Sequence, residues 1–332
     1  MKNIFTLKIT EQSGVSEARR LTAYAATAIG FNETDKGRIS IIVTELCRNI
    51  VKHSKNGGEF QLFRIKRGDK EGLELLAIDK GPGIKSLAEA MRDGFSTAGS
   101  PGTGLGSIKR LSDFFDIYSI YEQGTVVLSR IWVNMQRQVQ LKFEISGINL
   151  PKPGQEVSGD KWAWKASQEG ITVMIADGLG HGLEASDASN EAVKAFEESS
   201  GEPEKSILLM HQRLSHTRGA AVALSELKLE TGTVRYCGIG NISGVILSAE
   251  GSRSMISHNG IVGHEMRKVQ TFDYPWAAGS LMIMHSDGMS ARWSLDKYPG
   301  LIMKSTSVIC AVLYRDFARG NDDFTVTAMR VH

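Results

Sequence analysis

Residues 39–55, ISIIVTELCRNIVKHSK, place the first constraint on this chain. Ile39, Ile42, Val43, Leu46 and Ile50 recur at helical spacing. The stripe they form is wide enough to face a core. The same periodicity puts Glu45, Asn49 and His53 on one face, along successive turns. Polar residues beside an apolar stripe are ordinarily a solvated shoulder, so this helix alone assigns them no chemistry.

Two later stretches change that reading. The apolar run LELLAID, residues 73–79, ends in Asp79 and is followed at once by Lys80-Gly81-Pro82-Gly83. Gly102-Thr103-Gly104-Leu105-Gly106 then precedes a helical pattern, SIKRLSDFF. The order is a Glu-x-x-x-Asn helix, an Asp-x-Gly-x-Gly loop and a Gly-x-Gly-x-Gly loop. It resembles the ATP-binding domain shared by histidine kinases, gyrase B and the bacterial anti-sigma-factor serine kinases, the GHKL or Bergerat fold. The resemblance covers roughly residues 1–133.

The resemblance implies a role for each position. Asp79, at a strand end, would accept a hydrogen bond from the adenine amino group. Gly81 and Gly83 would let the backbone turn tightly and approach the base. Thr125 matches the hydroxyl that supports the adenine contact through water. Backbone N–H groups of Gly102, Thr103, Gly104, Leu105 and Gly106 would face the phosphates, helped by the positive end of the helix starting there. Asn49 would offer its amide oxygen to the Mg²⁺ that accompanies ATP. Glu45 would act as general base on the attacking hydroxyl. His53 continues the same face but reads as packing or surface.

Residues 84–101 form the expected lid. Its shortness matches the serine kinases of the RsbT and RsbW type, and no phospho-acceptor histidine box precedes the domain. In such kinases the γ-phosphoryl group of ATP goes to Ser or Thr on a small STAS-fold partner, so the resemblance implies a STAS-domain substrate. A sigma factor or another effector would lie downstream. The fold also leaves a homodimer open.

The rest of this half reads as a strand over 4–10, a helix over 15–29 with Ser13 as cap, and strands over 60–65, 73–78 and 126–133. Asn56-Gly57-Gly58 is expected to end the long helix. Helices and a mixed sheet suit a two-layer α/β sandwich.

At 332 residues the chain has room for two domains. A net charge of +2, with 39 basic residues scattered, gives no argument for nucleic acid or an acidic membrane surface. No apolar run approaches the ~20 residues of a membrane span. MKNIFTLKIT alternates like a strand and lacks a long apolar signal region. Three sparse cysteines fit a reduced compartment, so the cytoplasm is expected. Cys47 reads as a small buried hydrophobe.

Apolar patterning breaks at 134–138, NMQRQ, read as a linker. From residue 139 onward strand-like runs dominate. LKFEISGI, WAWKAS, ITVMIAD, AAVALSELKLE, TVRYCGIG, SGVILSA, SLMIMHSD and FTVTAMRV alternate with helical patterns over 183–198, 203–216 and 305–319. Two sheets flanked by helices would accommodate them. Acids recur at strand ends, at Asp160, Asp177, Asp287 and the pair Asp322 and Asp323. One Asp beside a Gly is usually a turn former. Several converging carboxylates repel one another and call for divalent cations.

The run ADGLGHG brings the second resemblance, to the metal-dependent PPM-type serine/threonine phosphatases of the SpoIIE and RsbX branch, over roughly residues 139–332. It implies an αββα sandwich, and hence an α+β chain of two domains. It also implies two Mn²⁺ or Mg²⁺ ions on Asp160, Asp177, Asp287 and Asp322, with the Gly178 carbonyl as a further ligand. Asp323 stays an alternative to Asp322. His181 is read either as serving the leaving group or as the cap of the next helix. Together the two halves suggest a bifunctional kinase and phosphatase acting on one partner. The alternative is a phosphatase whose first domain only docks a partner in a nucleotide-dependent way.

Overall fold

The structure, a computed structural model, describes residues 2–68, 70–91, 104–134 and 143–332. The chain divides into two compact units, residues 1–140 with 295–315, and residues 141–294 with 316–332. Most of the expected linker and most of the expected lid, with Gly102 and Thr103, lie outside the described residues.

The first unit runs β1 (Lys2–Ile9), α1 (Gln12–Ile29), α2 (Glu33–His53), β2 (Gly58–Arg67), β3 (Lys70–Asp79), α3 (Leu87–Ala90), α4 (Gly104–Leu111), β4 (Phe114–Ile120) and β5 (Gly124–Trp132). Its sheet has the order β1-β2-β3-β5-β4. Every neighbouring pair is antiparallel, where a mixed sheet was expected.

Helix α2 begins well before Ile39. Asn32 caps it by accepting from the Asp35 amide, at 2.8 Å, and Glu33 and Asp35 sit favourably at its positive end. The apolar stripe gives no sign of that polar first turn, so reading from the stripe starts the helix late. Ser13 does not cap α1. The cap position is Glu11, and Ser13 lies inside the helix, donating to the Glu11 carboxylate at 2.6 Å. Residues 114–120 form a strand, not the end of a helix. Ile39, Ile42, Val43, Leu46 and Ile50 of α2 pack with Leu73, Leu75 and Ala77 of β3 in one core. Cys47 is buried there, and burial pushes its thiol up to about 12.

The opposite face of this sheet is apolar too. Phe63, Leu76, Ile78, Val126 and Leu128 are all buried. Residues 295–315, which belong to this unit, bind that face. Ser307 donates to the Glu74 carboxylate at 2.9 Å, and Arg130 donates to the same oxygen at 2.6 Å. Tyr314 donates to Glu59 at 2.9 Å. The Ser305 amide donates to Asp116 at 2.8 Å.

The second unit begins with β6 (Phe143–Leu150), β7 (Asp160–Ala166), β8 (Gly170–Gly178), α5 (Leu183–Glu198), α6 (Pro203–Arg213), β9 (Ala220–Lys228) and β10 (Thr233–Ile239). It continues with β11 (Ser243–Ser248), β12 (Gly251–Met255), β13 (Ser257–His258), β14 (Phe272–Pro275) and β15 (Leu281–His285). Helix α7 (Thr306–Phe317) lies mostly in the first unit, and β16 (Phe324–Val331) ends the described chain.

One sheet has the order β12-β11-β15-β16-β6. The other runs β13-β10-β9-β8-β7, with β14 also on β10. Ile171, Val173 and Ile175 of β8 meet Met282 and Met284 of β15 between the sheets. Met174 and Ala176, alternating with them, pack under α5 and α6 with Phe196, Ile207 and Met210. The period of two thus buries both faces of β8, which is why its sequence is a continuous apolar run.

Candidate functional sites

In the first unit the three boxes converge. A side chain at Gly104 would stand 3.6 Å from the Glu45 carboxylate and 3.6 Å from the Asn49 amide oxygen. The start of α4 therefore lies directly over the polar face of α2. Leu105 and Gly106 follow in the first turn of α4, so the free N–H groups of that turn sit beside Glu45 and Asn49.

Asp79 ends β3 and stands opposite Thr125 in register. Its carboxylate accepts from the Gly81 amide at 2.7 Å. Burial holds the Asp79 carboxyl above its usual range, and the Gly81 N–H opposes that shift. Thr125 is tied to Ser119 at 2.9 Å. Gly83 has φ +66°, and a Cβ there would stand 2.1 Å from the Ile120 carbonyl oxygen. Only glycine brings the loop this close. His53 is exposed at the end of α2.

The acids of the second unit also converge. Asp160 and Asp177 are register partners across β7 and β8. Asp160 is buried. One of its oxygens accepts from Ser286 at 2.6 Å, and the other has no hydrogen-bond partner. Burial pushes both carboxyls up, and their mutual repulsion falls on Asp177, which Asp287 and Asp322 raise further. The Asp287 carboxyl is raised by burial first and by Asp322 next. Arg319 and a 2.8 Å hydrogen bond from Asn241 oppose that shift.

Gly178 closes β8, and a Cβ on it would stand 2.0 Å from the Ala185 carbonyl oxygen. The Gly178 amide donates to Gly159 at 3.2 Å. Asp322 and Asp323 part company. Both Asp323 oxygens are taken by backbone amides, of Lys152 at 2.8 Å and Gly159 at 3.0 Å. Asp323 thus ties the loop before β7 to the start of β16. Asp322 is half-exposed and repels Asp177 and Asp287, so it lies on the side of the acid cluster. His181 is exposed in the loop before α5, and the cap position of that helix is Gly182.

Divalent cations fit this cluster. An orphaned carboxylate oxygen, an Asp–Asp pair in register and two further acids are strongly repulsive unless neutralised. No three acid, His or Cys side chains among the described residues close into a single-ion cage.

Sequence pattern does not single out Asn241, Ser286 or Lys161. Lys161 donates to the carbonyls of Ser158 at 2.8 Å and Asp160 at 3.1 Å. Ser286 stands beside Asp287 in the chain, yet its hydroxyl reaches across to Asp160 from another sheet.

Two families of known proteins match. Residues 10–131 match the histidine kinase-like ATPase domain, and residues 167–332, half the chain, match stage II sporulation protein E (SpoIIE). This chain joins an RsbT-type kinase-like ATPase domain to a SpoIIE-type phosphatase domain. The serine/threonine-protein kinase RsbT of Bacillus subtilis (strain 168) is 35% identical over 127 residues, which are 38% of this chain and 95% of RsbT. The phosphoserine phosphatase RsbX of the same organism is 28% identical over 143 residues, 42% of this chain and 72% of RsbX.

A chain solved in a study of the bacterial stressosome superposes with TM-score 0.53 at 26% identity, covering 57% of this chain and 100% of its own. RsbX solved with magnesium gives TM-score 0.51 at 23% identity, covering 59% of this chain and 98% of its own, and shares the fold. The SpoIIE-type part is a metal-dependent serine/threonine phosphatase domain, and the RsbT-type part is kinase-like. Among the described residues no helix is long and apolar enough to cross a membrane.

Proposed function

We propose that this protein is a bifunctional regulatory switch. Its kinase domain, residues 1–133, transfers the γ-phosphoryl group of ATP to Ser or Thr on a STAS-type partner. Its phosphatase domain, residues 139–332, removes that group. The observation that supports this reading is that, among the described residues, Gly104 comes beside Glu45 and Asn49 in one half and Asp160 stands in register with Asp177 in the other.

In the kinase site Asp79 holds the adenine, supported by Thr125, and Asn49 holds Mg²⁺ on the nucleotide. The phosphates lie against the N–H groups at the start of α4. Glu45 takes the proton of the attacking hydroxyl. In the phosphatase site Asp160, Asp177, Asp287, Asp322 and the Gly178 carbonyl hold two Mn²⁺ or Mg²⁺ ions. When bound, such ions activate the attacking water and neutralise phosphoryl charge. Asp323 holds the loops that carry the ligands. His181, exposed in the loop before α5, would serve the leaving seryl oxygen. The switch acts in the cytoplasm, upstream of a sigma factor or another effector.

Opposed activities in one chain would cycle wastefully unless one is gated. One observation favours a second reading. Residues 295–315 fall inside the SpoIIE-matched span yet belong to the first unit. The first domain would then be a nucleotide-dependent docking module that regulates a phosphatase.

Labelled ATP, Mg²⁺ and a STAS-domain protein, incubated with the Asp177→Asn chain, separate the two. Label on the partner, lost when Glu45→Ala is added, supports the kinase. Nucleotide binding without label rejects it in favour of the docking module.

A further inference from the structure

A phosphomonoester brings about two negative charges to the acid cluster, and its oxygens need hydrogen-bond donors as well as cations. The cations beside the cluster differ in what they have left to offer. Lys161 is turned onto the carbonyls of Ser158 and Asp160 and the hydroxyl of Ser186. Arg218, beside Gly180, is paired with Glu184. Arg319 is different.

The chain after α7 runs against the turn that carries Asp287. Met289 and Ala318 form an antiparallel bridge. The Ser290 amide donates to the Phe317 carbonyl at 2.9 Å, and the Arg319 amide donates to the Gly288 carbonyl at 2.9 Å. This short ladder fixes the Arg319 backbone beside Asp287. The side chain then donates from Nη1 to the Asp287 carbonyl oxygen, at 3.1 Å. The residue is exposed, and its Nε and Nη2 bond no protein group among the described residues. A guanidinium has five donors in a rigid fork, and one is used here to aim it. The guanidinium stands beside the cluster, close enough for its charge to act on the Asp287 carboxyl.

We propose that Arg319 binds the phosphoryl group of the phosphoserine or phosphothreonine substrate and aligns it over the carboxylates. This rests on the phosphatase reading above. A fork of parallel N–H donors matches two phosphoryl oxygens, a geometry lysine lacks. In the reaction the water oxygen forms a new bond to phosphorus and the bond from phosphorus to the seryl oxygen breaks. The departing oxygen keeps the electron pair and takes a proton, so inorganic phosphate and the free hydroxyl leave. Arg319 gives up no proton. It holds the oxygens that carry charge as the phosphoryl group passes from one oxygen to the other.

The deciding experiment titrates inorganic phosphate into the Mn²⁺-loaded full chain by calorimetry, for the native protein, Arg319→Ala and Arg319→Lys. Mn²⁺ affinity is measured separately on each. Phosphate affinity is expected to fall roughly 10- to 100-fold in Arg319→Ala, the range of one or two charge-assisted hydrogen bonds. Arg319→Lys should recover part of it, and Mn²⁺ affinity should hold within about twofold. The KM for a phosphoserine peptide should rise in parallel.

Equal phosphate affinity in native protein and Arg319→Ala overturns the proposal. So does absence of phosphate binding to the native protein. A parallel loss of Mn²⁺ overturns it as well, because Arg319 would then only brace the Asp287 turn. Arg319-dependent phosphate binding without hydrolysis of any phosphopeptide would leave the anion site standing and reject the phosphatase reading instead.

Discussion

Asp160 and Asp177 stand directly opposite each other, Asp160 at the first position of β7 and Asp177 next to the last of β8. Like charges in that relation destabilise a sheet. Ionising both carboxyls therefore costs stability, a cost that bound divalent cations would offset. Asp177→Asn is expected to raise the melting temperature of the metal-free protein, by about 2–4 °C per kcal/mol relieved. It should also lower phosphatase activity roughly a thousandfold, since several kcal/mol of charge stabilisation depend on the site. Thermal scans with and without Mn²⁺ check this. An Asp177→Asn chain stabilised by Mn²⁺ as much as the native protein would contradict the ligand role.

The same pair sets a pH dependence. The Asp177 carboxyl is raised to about 9 in the folded chain, well above its unfolded value. A raised value means that its contribution to stability is complete below the unfolded pKa and is lost as pH rises through the folded one. The metal-free protein should therefore lose stability between about pH 4 and pH 9. Urea denaturation in EDTA at several pH values measures the trend. Saturating Mn²⁺ should flatten it, and Mn²⁺ binding near pH 7 should release protons, read by calorimetry in buffers of different ionisation enthalpy.

On the proposed kinase mechanism, Glu45 and Asn49 would separate chemistry from binding. Glu45→Ala should slow phosphotransfer by about 10²–10⁴ while ATP binding changes little, the usual scale of one general base. Asn49→Ala should weaken binding of Mg²⁺-ATP itself. Single-turnover transfer and fluorescent-nucleotide titration distinguish them. A Glu45→Ala chain that transfers phosphate normally would remove Glu45 from the mechanism.

Gly83 has no room for a methyl group, because a Cβ would stand 2.1 Å from the Ile120 carbonyl oxygen at φ +66°. Gly83→Ala should cost about 1–3 kcal/mol from backbone strain and shift the loop beside Asp79. Nucleotide affinity and a denaturation curve would show both effects together. Unchanged ATP affinity would place the nucleotide away from this loop.

Glu74 and Ser307 tie distant parts of the sequence inside the first unit. The Glu74 carboxylate takes hydrogen bonds from Arg130 and Ser307 in a buried setting. Arg130→Ala leaves that charge without its ionic partner, at a cost of about 3–5 kcal/mol. Ser307→Ala should cost about 1 kcal/mol. Urea unfolding of the full chain measures both. Equal midpoints for native and Arg130→Ala chains would show that the pair contributes nothing.

Much of this molecule is written in local pattern. The stripe of α2, the apolar runs of β8 and β15 and the helices α5 and α6 follow from side-chain periodicity, because 3.6 and 2.0 residues per repeat decide which face is buried. The boxes at Glu45, Asp79 and Gly104 could be read because glycine and carboxylate chemistry is local. The start of α2 was missed because its cap, Asn32, is polar and outside the stripe. Residues 114–120 were missed because SIKRLSDFF continues a helical pattern past the point where α4 ends.

What sequence alone determined is the order of most of the long elements, the chemistry of their ends and the resemblance to two families. Tertiary structure decided the rest, because register and packing join residues far apart in the chain. Register set Asp160 against Asp177 and Asp79 against Thr125. Packing took both oxygens of Asp323 into backbone hydrogen bonds and left Asp322 facing the other acids, a choice two adjacent identical residues cannot reveal. It also placed Ser307 on Glu74, since a buried carboxylate must find donors wherever the fold brings them.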